Sequence, residues 1–148
     1  MKLLFLTEKP SFKKAIEQEY EKCKDALSFT VDVAIVNNFA IADDDAERFG
    51  INTEGFRRFV MNSRAVPEDY KIHLKNNEQE IMSLIQNSEY VYLVNACDPD
   101  EAGELMFDYT RESCGLLNYP TLKFDIIAVL NNRGLEAFNE IQAQVAAR

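Results

Sequence analysis

The chain reads as one α/β domain with a Rossmann-like, mainly parallel sheet covered by helices on both faces. Three observations predict this class. Strand-sized apolar or β-branched runs (residues 3–7, 29–36, 90–97 and 122–129) alternate with segments whose apolar residues recur at helical spacing. The apolar run Tyr90-Val91-Tyr92-Leu93-Val94 reads as a buried strand. Two of the four runs end in acidic residues, Glu8 and Asp98, at the edge where open parallel sheets bind ligands.

The elements follow in order. Leu3-Leu4-Phe5-Leu6-Thr7 is the first strand, and Pro10 suits the start of a helix over Ser11–Lys24 in which Phe12, Ile16, Tyr20 and Cys23 share a face. Phe29–Val36 is β-branched and predicts the second strand, ended by Asn37-Asn38. Asp43-Asp44-Asp45 predicts an exposed loop or helix start, and Phe56, Phe59 and Val60 give a short helical pattern within 51–67. Polar and apolar residues alternate over Asp69–Leu74, which predicts an extended edge segment. Asn77-Glu78-Gln79-Glu80 reads as a capping box introducing Ile81, Leu84 and Ile85 on one helical face, and that helix leads into the strand at 90–97. Leu105, Met106 and Tyr109 then mark a helix that Gly115 terminates. A last strand over Leu122–Val129 precedes a cap at Asn131 or Asn132 and a final helix carrying Leu135, Phe138, Ile141 and Val145.

At 148 residues the chain is expected to be one domain, 1–148, large enough to bury a proper core. Hydrophobic residues at 47% and charged residues at 28% are those of an ordinary globular protein and exclude a disordered one. No apolar run approaches a membrane span, and no basic start leads into a long apolar region, so a cytoplasmic protein with no membrane partner is expected. Cys23, Cys97 and Cys114 are odd in number and widely spaced, with His73 the single histidine, which argues for reduced core thiols over a disulfide framework or a zinc site. The formal charge of -9 weighs against a uniformly basic, phosphate-binding surface. Cations nevertheless cluster at Lys2, Lys9, Lys13, Lys14, Lys22 and Lys24, and again at Arg57, Arg58 and Arg64.

The stretch Asp98-Pro99-Asp100-Glu101-Ala102-Gly103-Glu104 carries the chemistry. Asp98 and Asp100, one residue apart, can share a hard cation, and Gly103 lets the backbone approach a ligand closely. The same residues also suit a plain turn that ends a strand and caps a helix. Glu8 ends the first strand in the same way, so neighbouring parallel strands would bring Glu8, Asp98 and Asp100 to one rim although ninety positions separate them.

These residues resemble the Toprim domain, shared by type IA and type II topoisomerases, bacterial primases and certain nucleases, and the likeness is closest to the type IA enzymes. Glu8-Lys9-Pro10-Ser11 is similar to their first motif, a strand ending in glutamate and followed by Lys or Ser, Pro and a small residue. The stretch from Asp98 to Glu104 is similar to their second, which usually reads Asp-Pro-Asp-Arg-Glu-Gly-Glu. The second strand running into Asn37-Asn38, where the family commonly has Gly-His, and the final strand and helix extend the likeness across nearly the whole chain. The resemblance implies a Toprim fold that binds Mg²⁺ and DNA phosphate. It implies Glu8 as general acid/base, with Lys9 beside it, a metal held by Asp98, Asp100 and Glu104, and phosphate contacts from Lys9 and Lys13.

Two departures bear on activity. Glu101 replaces the family's arginine, and Ala102 replaces the third acid of its Asp-x-Asp-x-Glu triplet, which implies weakened metal binding. None of the six tyrosines matches the context of the topoisomerase nucleophile, so the chain by itself is not expected to relax DNA. The alternative is a catalytically lapsed, stand-alone module of the same fold used for protein or nucleic-acid interaction. A receiver domain, the other parallel α/β class with clustered aspartates, places its paired acids after the first strand, and here the pair follows a later one.

Overall fold

Leu3, Leu4, Phe5 and Leu6 are completely buried, as suits β1 (Lys2–Thr7), one of the two inner strands of the sheet. A computed structural model describes residues 1–36 and 68–148, except the side chains of 68–77 and 102. β2 (Thr30–Ile35) pairs with one edge of β1 and β3 (Tyr92–Asn95) with the other, so that Phe5 lies between Val33 and Val94. β4 (Thr121–Lys123) adds outside β3, with Leu122 opposite Val94. All pairings are parallel and the order is β2-β1-β3-β4. The expected α/β class with a parallel sheet is therefore the observed one.

Alternation along β1 builds two cores. Leu4 and Leu6 face one layer, where they join Ile81 of α2 (Glu68–Asn87) and Met106 and Phe107 of α3 (Glu101–Ser113). Leu3 and Phe5 face the other, formed by α1 (Pro10–Cys23), α4 (Ile126–Leu130) and α5 (Gly134–Ala146). Phe138 of α5 is fully buried there, its ring centroid 5.0 Å from Phe124 and 6.0 Å from Phe5. Burial of such side chains is the main stabilising term, roughly 1.5–3 kcal/mol for each large apolar group.

Local signals explain the helix ends. Pro10 occupies the first turn of α1, where its missing N–H is no loss. α3 ends in a Schellman motif, with Leu116 N–H donating to Arg111 C=O (2.8 Å) and Gly115 N–H to Glu112 C=O (3.2 Å). Gly115 has φ of +69°, as that motif requires, and Leu116 is buried behind it.

Four expectations are corrected. Residues 69–74 are not an extended edge segment but the first turns of α2, and Asn77 lies inside that helix and does not cap it. The spacing of Tyr70, Leu74, Ile81, Leu84 and Ile85 continues one helical period, and a six-residue alternation was the weaker signal. The last strand stops at Lys123, because Asp125 accepts a hydrogen bond from Ala128 N–H (3.1 Å) and starts α4 at Ile126. Neither Asn131 nor Asn132 caps α5; its N-cap is Arg133, and Asn132 adopts φ of 61° in the intervening turn. The expectations for Asn37-Asn38, Asp43–Asp45, the pattern within 51–67 and the cations Arg57, Arg58 and Arg64 lie outside the described residues. Among the described residues no helix is long and apolar enough to cross a membrane.

Candidate functional site

From β1 the chain moves outward in one direction to β2, and on the opposite side to β3 and then β4. The order therefore reverses between β1 and β3, and a parallel sheet opens a crevice at the carboxyl ends of the strands at such a point. Glu8 follows the last residue of β1, and Asp98 follows β3 by three residues. They meet there.

Backbone and side-chain bonds lock the two strand ends together. Thr7 Oγ1 donates to Ala96 C=O (2.7 Å), and Ala96 N–H donates to Leu6 C=O (2.9 Å). Asn95 Oδ1 accepts from Cys97 N–H (3.1 Å), which turns the chain out of β3 toward Asp98. Across that junction Asp98 N–H donates to Glu8 Oε1 at 2.7 Å, a short bond to a carboxylate. The first-strand glutamate and the acidic turn form one structure.

Glu8 is only 6% exposed. Burial raises its carboxyl above the usual value of 4.5, the Asp98 amide and the Lys9 charge oppose that rise, and the negative charges of Asp98 and Asp100 add to it. A buried carboxyl that holds its proton more tightly than usual is the type suited to proton transfer. Cys97 is buried beneath the same groups. Desolvation, with Glu8, Asp98, Glu104 and Asp100 nearby, pushes its thiol strongly upward, so it stays protonated and unreactive.

Asp100 is exposed and caps α3, its Oδ1 accepting from Gly103 N–H at 2.7 Å. Gly103 permits a close backbone approach, but to the chain itself: a Cβ there would lie 2.0 Å from the carbonyl oxygen of Asp98. The plain reading of the turn as strand end and helix cap thus holds for Asp100, alongside its position on the rim. Asp98 is half-buried and Asp100 open to solvent, so the rim presents hard oxygen donors at the mouth of the crevice. Among the described residues no group of three or more His, Cys, Asp or Glu side chains is gathered into a metal cage.

The remaining expected residues are distributed around this centre. Lys9 is exposed, with its ammonium 4.9 Å from the ring centroid of Phe12. Lys13 pairs with Glu80 of α2 (3.6 Å). Glu104 pairs with Lys123 at the end of β4 (2.7 Å), an exposed contact worth little in stability but one that sets a cation beside the acids. Lys123 is the residue that sequence reading missed. Placing it inside a long strand hid the fact that it ends β4, at the same edge as Asp98. Its backbone is held there by Gln144 of α5, whose Oε1 accepts from Lys123 N–H (3.1 Å) and whose Nε2 donates to Lys123 C=O (2.8 Å).

No family model, no curated protein and no solved structure matches this chain.

Proposed function

We propose that the chain is a Toprim-like module of the type IA topoisomerase kind, which binds Mg²⁺ and nucleic-acid phosphate at the rim formed by Glu8 and the acidic turn. The observation that carries this reading is the 2.7 Å bond from Asp98 N–H to Glu8 Oε1, because it joins two motifs ninety residues apart at the ligand crevice of a parallel sheet. The donor set suits Mg²⁺, which takes oxygen ligands, keeps several waters and leans on one or two carboxylates together with substrate phosphates. Asp98 and Asp100 would hold it. When bound, the ion supplies neutralisation of charge on non-bridging phosphate oxygens.

The chain's own residues do the rest. Glu8, buried and with a raised carboxyl, moves a proton to or from the reacting oxygen, and the Asp98 amide fixes its orientation. Lys9, exposed beside it, contacts phosphate. Buried free thiols at Cys23, Cys97 and Cys114 agree with a reducing, cytoplasmic setting. One observation favours the alternative, a lapsed interaction module: Glu104, the motif's final acid, is already paired with Lys123.

Fluorescence anisotropy of a labelled single-stranded DNA oligonucleotide, with Mg²⁺ and with chelator, tests the proposal. Binding that needs Mg²⁺ and is lost in Asp98→Asn/Asp100→Asn is the expected result. Identical anisotropy in both buffers, or no DNA binding in either, shifts the reading to the interaction module.

A further inference from the structure

Beside the acidic turn, the carboxyl ends of β3 and β4 enclose a cleft of about 710 Å³. Small-molecule sites run from about 300 to 1,000 Å³, so the space suits a nucleoside. Its apolar part comes from three elements: Pro99 of the turn, Phe124 after β4 and Ile127 of α4. Phe124 is buried and fixed by edge contact with Phe5 (4.9 Å between centroids), so this part of the lining cannot collapse inward. Ile127 is 42% exposed, an apolar side chain turned toward solvent beside an open cleft. Rings and a branched side chain around a rigid base are the surroundings that flat heterocycles prefer.

We propose that this cleft is a nucleobase site, holding the base of the nucleotide whose phosphate lies at the acidic turn, and that it prefers bases carrying an exocyclic amino group. The link to the phosphate rests on the function proposed above, and Asp98 supplies the continuity, since it belongs both to the turn and to the cleft lining. The preference follows from the polar lining. Among the described residues the lining includes the acids Asp98, Asp125 and Glu140, of which Asp125 also caps α4, against one cation, Lys123, which is itself paired with Glu104. Acceptors in excess favour a ligand edge rich in N–H donors and disfavour an anionic group deep in the cleft. Guanine, adenine and cytosine carry an exocyclic amino donor, whereas uracil and thymine lack one and have a carbonyl oxygen where cytosine has its amino group.

Titrating the ¹⁵N-labelled full chain with guanosine, cytidine and uridine in the absence of metal, and following amide shifts by NMR, tests the assignment. Guanosine and cytidine are expected to shift amides within 95–99 and 123–127, and uridine to bind several-fold more weakly. Ile127→Asp should weaken guanosine binding by about tenfold, the loss expected when one apolar wall of a pocket is replaced. Glu140→Gln, at an exposed position, should narrow the gap between guanosine and uridine without unfolding the chain. Shifts scattered outside the cleft, or equal guanosine affinity for the parent and Ile127→Asp, would overturn the proposal. Asp100→Asn, which lies outside the cleft lining, separates it from the phosphate reading: guanosine binding that survives while the parent shows no metal binding supports the cleft and sinks the phosphate site, and metal binding without nucleoside shifts does the reverse.

Discussion

Replacing Gly103 with alanine should destabilise the protein, although the same change inside a helix normally stabilises it by roughly 1 kcal/mol. The added methyl would lie 2.0 Å from the Asp98 carbonyl oxygen, 3.1 Å from its carbon and 3.2 Å from its nitrogen. These are backbone atoms and cannot rotate away. Even a close C···O contact is about 3.3 Å, so the start of α3 and the turn must part by more than about 1 Å. That movement pulls on two bonds at once: the Asp100 cap to Gly103, worth about 0.5–2 kcal/mol, and the Asp98 amide to the Glu8 carboxylate, worth about 1.5–3 kcal/mol. With overpacking at about 1–3 kcal/mol, and partial relaxation and helix propensity offsetting part of the total, the expected loss is about 2–4 kcal/mol. Equilibrium unfolding in urea measures it as a lower midpoint at an unchanged slope. A Gly103→Ala protein as stable as the parent, or more stable, would refute the close packing of turn against helix on which the site depends.

Three further outcomes follow from the same contacts. The folded state holds the Glu8 proton more tightly than the unfolded chain, so Glu8 contributes stability below pH 4.5 that is lost as pH rises through its raised value. Glu8→Gln keeps an acceptor for the Asp98 amide and should remove that loss, so stability curves of variant and parent must diverge in the variant's favour from acid to neutral pH; parallel curves would contradict the burial argument. Asp100→Asn retains a good cap and should melt with the parent, whereas Asp100→Ala should cost about 1 kcal/mol, a difference that thermal denaturation resolves. Burial pushes the Cys114 thiol up to about 11 and Cys97 further, so a thiol reagent at pH 8 should label neither until urea unfolds the chain, and rapid native labelling would count against this core.

Elements whose signals are local and continuous were legible in the sequence. β1 carries a four-residue apolar run, Leu3–Leu6, followed by a carboxylate and Pro10, and no other reading competes with a buried parallel strand followed by a helix. Gly115 likewise marks the end of α3, since few other residues adopt its φ. The failures share a cause. Over 69–74 and 122–129 a short window fits two periods, and the tie is broken by features beyond the window: the continuation to Ile81 and Ile85 for α2, and the Asp125 cap for α4. The site was half legible. Strand order is set by packing, so the meeting of Glu8 with Asp98 followed from the fold class, while the Glu104–Lys123 pair and the Gln144 clamp depend on where β4 ends and which helix passes it.

Mn²⁺ is the most direct probe of the central claim, because it occupies Mg²⁺-type oxygen sites and broadens nearby amide signals. Added in small amounts to the ¹⁵N-labelled chain, it should erase the signals around Glu8 and from Cys97 to Glu104 first, and Asp98→Asn/Asp100→Asn should abolish that selectivity while leaving the spectrum folded. Broadening that spreads over acidic surface elsewhere, or that remains at Glu8 in the double variant, would show that the carboxylate rim is not a metal site.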